Sequence, residues 1–533
     1  MPLTLRLDKG SALTYSEMDG NFTYLSSSIQ YIDTSVFATI GSNEFNGNQS
    51  VTGSFSQGSG AQTIGDYSHA EGSNTIAGIQ AYYSDNILDG QIIIAGYGDV
   101  TSYFPANNFL ILDDFDTTYG TIKLQVSQSY VNSGNTVIEL YDNSINAAEV
   151  LVGSYDYPIL PNSDYVIGNY SHAEGLNALA IGSYSHAEGV NTLAIGQYSH
   201  AEGDTTTAIG YGSHAEGEGT QAIGVYSHAE GGYTQAIGYA SHAEGNGTKT
   251  GYKGFNSSDI GTTTPGDIYL NSSYGDVSAL FIGGNFIILS DTDDDDNYGT
   301  VKLEIASSTF DGTNTIITLV NTSISTTVAV IGVFNDPEPI GANQIYIGFY
   351  SHAEGYNTQA IGYYSHAEGN NTKAIGDYSH AEGLFTQAIG HYSHAEGGFT
   401  QATGLYSHAE GGNTQAIGHY SHAEGNDTKA IGERSHVEGN NTLASGSYQH
   451  VSGKYNTHGD DTSLFIIGNG VDDGNRSDAF KVRQSGSIVL PVTSSATPGW
   501  TGTNGEMIFG DDGVGNYVIW AYLGGAWRSG SLV

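Results

Sequence analysis

The tripeptide His-Ala-Glu stands at His69, His172, His186, His200, His214, His228 and His242, and again from His352 through His366, His380, His394, His408 and His422. His436 carries Val in place of Ala, and His450 closes the series as a degenerate copy. Imidazole and carboxylate two residues apart on a strand share a face, and together they can ligate Zn²⁺ or serve a catalyst. Repetition argues against both. A catalytic centre is singular, whereas this pair returns every fourteen residues within each run. It is therefore read as a charge-compensated, hydrogen-bonded ladder that fixes register, with each Glu raising the pKa of its neighbouring His. No metal and no cofactor are expected. With no G-x-S-x-G, P-loop or H-E-x-x-H motif in the chain, no enzymatic activity is expected either.

The elements that must hold the ladder follow from the repeating unit A-I-G-x-Y-S-H-A-E-G-x-x-T-x. A fixed period makes each unit one turn of a stack. Fourteen residues are too few for a pair of helices, and they contain two short alternating runs, so an all-β, parallel β-roll of 14-residue coils is predicted. Within S-H-A-E-G, Ser and Ala face one way and His and Glu the other. Ala180, Ser185, Ala187 and Thr192 are small enough to fill a narrow interior. That leaves a stripe of Ile181, Ile195, Ile209, Ile223 and Ile237 outside, continued by Ile361, Ile375, Ile389, Ile417 and Ile431 with a break at Thr403. Each buried Ile is worth ~1.5–3 kcal/mol. The stripe is thus expected to be the seam of a closed homotrimer, a dimer being the alternative. The Tyr residues one step before Ser (Tyr170, Tyr184, Tyr198 and their equivalents) are predicted to stack on each other at a coil corner rather than to hold sugars.

The chain has 533 residues, 75 of them Gly and none Cys, and a formal charge of −42. That field disfavours nucleic acid and anionic lipid. No apolar h-region opens the sequence and no stretch is long enough to span a bilayer, so neither Sec export nor membrane insertion is expected.

The coil pattern is interrupted twice at the same phase, which divides the chain into a first coil (61–77), an insert (78–165), a first array (166–249), a second insert (250–345) and a second array (346–457). The inserts resemble each other. Tyr97-Gly98-Asp99-Val100 matches Tyr274-Gly275-Asp276-Val277, and Phe109-Leu110-Ile111-Leu112 matches Phe286-Ile287-Ile288-Leu289. Each is predicted to be a small lateral β domain. Residues 1–60 form an attachment and shaft segment with a short helix expected over 13–19. Residues 458–490 form a β-rich connector and 491–533 a tip. Trp500, Trp520, Tyr522 and Trp527 there make either a receptor-binding surface or the core of a trimerisation cap. The run Asp291–Asp296 lacks calcium-loop spacing and is read as a solvated turn.

The x-x-T-x-A-I-G-x-x-S-x-A-x-G pattern resembles the head repeat of YadA-type trimeric adhesins, a left-handed parallel β-roll, and that resemblance implies a trimer. Leu5–Thr14, Gly41–Ser54, Gly468–Val482 and Gly524–Arg528 resemble segments of tailed-phage fibres. Together these resemblances imply a trimeric phage tail fibre on the virion. It would be joined to other virion or tail proteins through its N-terminus, with lateral and tip domains contacting a host-surface glycan or protein receptor. A bacterial surface adhesin or extracellular filament subunit is the alternative reading, and a fibre with polysaccharide depolymerase activity a further one.

Overall fold

The computed structural model describes residues 53–531 apart from 89, 115–120, 142–144, 146, 157, 159, 161–164, 262–263, 271–273, 275, 292–299, 321–325, 327–328, 334–345, 491, 494–500 and 512–516. The helix expected over 13–19 and most of the acidic run after Asp291 therefore lie outside the described residues.

All coils but those at Phe55 and His436 contribute a five-residue strand that begins at His, such as His186–Val190, and the coils carry a two-residue strand, such as Leu193–Ala194. Successive coils pair in parallel and in register, His186 with His200, Ala187 with Ala201, Ala194 with Ala208. The inward residues explain the register. Ser185, Ala187, Thr192 and Ala194 are all buried, and their equivalents repeat this in the coils from His69 to His436. A one-residue slip would turn His and Glu inward. Between coils, His186 N–H donates to the Ser199 carbonyl at 2.9 Å and Ile195 N–H to the Ala208 carbonyl at 2.8 Å. Corners sit at Asn191 and Tyr198, both at left-handed φ (54° and 59°). Gly203 (φ 111°) stacks so closely that a Cβ there would lie 2.1 Å from the Gly217 carbonyl oxygen. Stacking, and not only the turn, dictates glycine at this step.

Neither insertion interrupts the stack. His69 pairs directly with His172, and His242 with His352. The stack also starts earlier than the expected residue 61. Phe55–Gln57 pairs in parallel with His69–Glu71, so a divergent coil lies inside the segment read as shaft. At the far end Ser463–Asn469 adds to His450–Lys454. Asp478–Arg483 and Ile488–Val489 then follow antiparallel and close the exposed edge of the sheet.

The first insert contains β1 (Ile79–Leu88), β2 (Gln91–Ile94), β3 (Phe109–Asp114), β4 (Thr121–Asn132), β5 (Asn135–Leu140) and β6 (Ala147–Ser154). They pair antiparallel in the order β1-β2-β5-β4-β3-β6, and β6 returns to β1. The insert is thus a closed six-stranded barrel around Tyr82, Phe104, Leu110, Ile138 and Val152. The second insert repeats it with β7 (Tyr252–Ile260), β8 (Asp267–Leu270), β9 (Phe286–Asp291), β10 (Thr300–Phe310), β11 (Thr315–Leu319) and β12 (Ala329–Val333), closed in the corresponding order. Both barrels leave the coil at a glycine that stands where other coils carry the stripe isoleucine. These are Gly78 (φ 85°) and Gly251 (φ 70°), and a Cβ on Gly251 would lie 2.2 Å from the Ile347 carbonyl oxygen.

The barrels correct one expectation. The isoleucine stripe of a single chain is not open to water along its length, because each barrel folds back onto it. Ile79, Ile111 and Leu151 of the first pack with Ile167, Ile181 and Ile195. Tyr252, Ile288 and Val330 of the second pack with Ile347, Ile361 and Ile375. Thr300 N–H adds a hydrogen bond to Asp377 Oδ2 at 3.1 Å. Ile223 and Ile237 are buried as well, and Ile209 and Ile389 half-buried. Only Ile417 and Ile431 stand open, 42% and 43% exposed.

Candidate functional site

The coil face opposite the stripe carries the His–Glu ladder. All but three of the 18 His residues belong to it. Successive rings stack with centroids 4.5–4.9 Å apart from His69 to His436, nearly parallel throughout, including the two steps that pass the insertions. Phe55 closes one end edge-on at 5.1 Å from His69, and Phe465 closes the other at 5.1 Å from His450.

The Glu partners are farther away than a hydrogen-bonded ladder requires. Nε2 to carboxylate distances run 3.6–4.0 Å, for example 3.9 Å for His186–Glu188 and 3.6 Å for His200–Glu202. From His422 onward the nearest carboxylate comes from the preceding coil, as in His436–Glu424 at 3.5 Å. The Nε2 atoms are buried and without a hydrogen bond. The pKa expectation is also reversed. Burial first, and the neighbouring imidazoles second, hold His186, His200, His380 and His408 below the ordinary histidine value, and the glutamates only partly offset this. A charged ring would sit between rings of the same sign. The carboxylates have an opposite problem. Glu382 is pushed up to about 7 by hydrogen bonds with Glu396 and Glu368.

His–Glu–His triplets such as His186, Glu188 and His200 bring their donor atoms within 4.8 Å of one another. Zn²⁺–nitrogen bonds are ~2.0–2.1 Å long. Stacked rings held ~4.7 Å apart by coil spacing cannot both reach one ion without leaving the stack. The face is built for stacking.

The Tyr column behaves as its sequence suggests. Tyr170, Tyr184 and Tyr198 stack at 4.9 and 5.0 Å, as do Tyr378, Tyr392 and Tyr406 at 4.9 and 4.6 Å. Their ring faces are occupied by each other, leaving the edges to solvent. His391 and His419, each one residue before a Tyr of the column, have a structural task. Their Nδ1 atoms accept hydrogen bonds from Asp377 N–H and Leu405 N–H, each at 3.0 Å, tying coil to coil. At the tip Trp520 and Tyr522 are buried on one face of Tyr517–Leu523. Trp527 is half-buried against Tyr522 with centroids 5.3 Å apart. Trp500 lies outside the described residues.

The fold is an all-β solenoid of parallel stacked coils carrying two barrels. No helix among the described residues is long and apolar enough to cross a membrane. The family model for the YadA head domain repeat (2 copies) matches residues 164–185, 187–213, 201–227 and 353–379, which fall in both arrays. Repeat and fold together define a trimeric-adhesin-like β-roll protein. No curated protein matches the chain.

Proposed function

We propose that the chain is the subunit of a trimeric, non-enzymatic fibre that carries binding modules away from the surface to which it is anchored and attaches to surface glycans. The in-register coil stack carries this reading. It is stiff, it is built from repeats similar to those of an adhesin head, and at ~4.8 Å per coil it gains ~29 Å for six coils and ~38 Å for eight. Ile417 and Ile431, open on the single chain, are the place where three chains would meet. The terminal segments that resemble phage fibres make a virion tail the proposed anchorage. A surface-adhesin reading, favoured by the head-repeat match, differs only in what holds the N-terminal end.

The test has two parts. Sedimentation should give the mass of three chains. Labelled protein should bind candidate host cells and lose that binding when the cells are treated with periodate, which destroys vicinal-diol sugars. A lone chain that binds no cell overturns the proposal.

A further inference from the structure

The chain has no Cys, so disulfides cannot join coil to coil. Tyr is the other side chain that oxidation couples to its own kind, and here the rings are already paired. Tyr67, Tyr170, Tyr184 and Tyr198 stack in line, with centroids 5.2, 4.9 and 5.0 Å apart and planes within 9° of parallel. Equivalent carbons of neighbouring rings are therefore separated by little more than the strand spacing of ~4.8 Å.

Two features make these four rings reactive partners and not only neighbours. The first is access. Tyr67 is 60% exposed and Tyr170, Tyr184 and Tyr198 are 49–50% exposed, although Ile181 and Ile195 of the same coils are buried under the first barrel. Solvent thus reaches this corner where the stripe beside it is closed, and the corner lies outside the open stretch at Ile417 and Ile431. The second is freedom to move. A half-exposed ring at a corner can tilt by the small amount that bond formation needs, as a ring packed in a core cannot.

Removal of one electron and the O–H proton from a phenol leaves a phenoxyl radical whose unpaired electron spreads to the ring carbons beside the oxygen. Two such radicals on adjacent rings join through one of these carbons each. Each joined carbon then passes its hydrogen to oxygen, which restores both phenols. Two Tyr thus yield one dityrosine, two protons and two electrons, and these reduce one hydrogen peroxide to two waters. Stacking holds the second radical beside the first, so the coupling is unimolecular. We propose that Tyr67, Tyr170, Tyr184 and Tyr198 form a site of oxidative cross-linking, driven by a one-electron oxidant of the haem-peroxidase class with hydrogen peroxide, that locks coil to coil. The Tyr67–Tyr170 bond has the largest consequence. These rings touch across the whole first insertion, so their bond closes a loop around the barrel, and closing a long loop restricts the unfolded chain most.

Dilute full-length protein treated with a haem peroxidase and hydrogen peroxide provides the test. Cleavage after glutamate, which the His-Ala-Glu step supplies once per coil, releases the coils for mass spectrometry. The pairs Tyr67–Tyr170, Tyr170–Tyr184 and Tyr184–Tyr198 should appear, in chains that still run as single chains on a denaturing gel. Their yield should exceed by about tenfold that from protein oxidised in guanidinium, where the rings are no longer held together. Tyr170→Phe keeps a ring in the stack but forms no phenoxyl radical. It should lose both pairs of Tyr170 and retain Tyr184–Tyr198. The linked protein should unfold at higher denaturant than the untreated protein. Absence of these pairs, links only between chains, equal yields from folded and unfolded protein, or Tyr67 linked as before in Tyr170→Phe overturns the site. Linked protein that unfolds at the same denaturant concentration overturns the lock.

Discussion

Two stretches of the isoleucine stripe share the Ala-Ile-Gly step and have opposite environments. Ile181 and Ile195 lie beneath the first barrel and are fully buried, whereas Ile417 and Ile431 stand in the same coil position with 42% and 43% of their surface exposed. The coils differ beside the stripe, where Leu179 and Leu193 join the cluster under the barrel and Gln415 and Lys429 stand at the equivalent positions of the open stretch. They differ also in distance from an insertion point. A barrel leaves at a glycine in the stripe and folds back over the coils that follow, so the second barrel reaches Ile347, Ile361 and Ile375, touches Ile389 and stops. An apolar period therefore tells that a surface must be covered without telling whether the cover comes from the same chain or from another copy.

Removing a cover is the severest way to probe this difference. Excising residues 79–165 and joining Gly78 to Val166 should leave the stack intact, because His69–Ser73 already pairs with His172–Leu176 and Ile76–Ala77 with Leu179–Ala180. It should also uncover Ile167, Ile181 and Ile195, each worth ~1.5–3 kcal/mol of burial. The shortened chain is expected to associate beyond the mass of the full-length protein and to bind a hydrophobic dye, as read by light scattering and fluorescence. Unaltered mass and dye binding would show that the barrel is not a cover.

Single substitutions scale the same contrast down. Ile195→Ala removes a fully buried side chain and should cost about 2–5 kcal/mol in denaturant unfolding. Ile431→Ala, measured in dilute dissociated chains, should cost less than about 0.5 kcal/mol. Equal costs would dissolve the distinction between covered and open stretches. Ile417→Asp with Ile431→Asp should instead lower the sedimenting mass toward one chain while the far-ultraviolet β signal stays, and persistence of the assembled mass would remove these residues from the seam.

How much of this was legible depended on whether a feature repeats. The interior of Ala, Ser and Thr and the Tyr column follow from one side-chain pattern copied many times. Duplication of the inserts shows in matched segments such as Phe109–Leu112 and Phe286–Leu289. Closure into barrels does not show, because alternating side chains serve an open sheet as well as a closed one, and β1 meets β6 only across the whole insert. The coil at Phe55–Gln57 was hidden because it lacks both His and Glu. Its only signal is Ser54 and Gly58, spaced like Ser68 and Gly72. The lowered histidine pKa values do not show, because a sequence displays the Glu beside each His but not the rings above and below it. At the tip, alternation alone places Trp520 and Tyr522 on one face, and burial of that face is a tertiary fact.

The ladder face is the same in both arrays, so acid should act on both alike. Ten of its imidazoles hold their protons less firmly folded than the ordinary 6.5. The unfolded chain then binds more protons, so stability is full above about pH 6.5 and falls as pH drops through the lowered native values. Glu382, raised from 4.5 to about 7, and Glu230, also raised, work in the opposite direction, but they are two groups against ten. The midpoint of thermal unfolding should fall between pH 7.5 and 5, and hydrogen exchange should speed up equally in 172–246 and 352–426. A flat midpoint would mean that the rings stay neutral and stacked, and a change in one array alone would mean that the barrels shield the ladder behind them.

The smallest contrast lies in the Tyr column, where the two arrays repair gaps differently. The first array lacks a ring at Gly212 and Ala240. Tyr211 and Tyr239, one residue earlier, turn edge-on into the gaps, Tyr211 standing 5.5 Å from both Tyr198 and Tyr226, and Tyr239 5.9 Å from Tyr226 and 5.6 Å from Tyr350. The second array puts Arg434 in the column, its guanidinium 5.1 Å from the Tyr420 ring and 5.3 Å from Tyr448. An edge-on aromatic pair is worth ~0.5–1.5 kcal/mol and an exposed cation–π contact ~0.5–1 kcal/mol. Tyr211→Ala should therefore cost about 1 kcal/mol regardless of salt. Arg434→Ala should cost slightly less, because that side chain also pairs with Glu433 in solvent, where salt weakens the attraction. Denaturant unfolding in low and high salt measures both. If Tyr211→Ala costs nothing, the displaced rings only occupy the corner, and the in-line stacks alone carry the column.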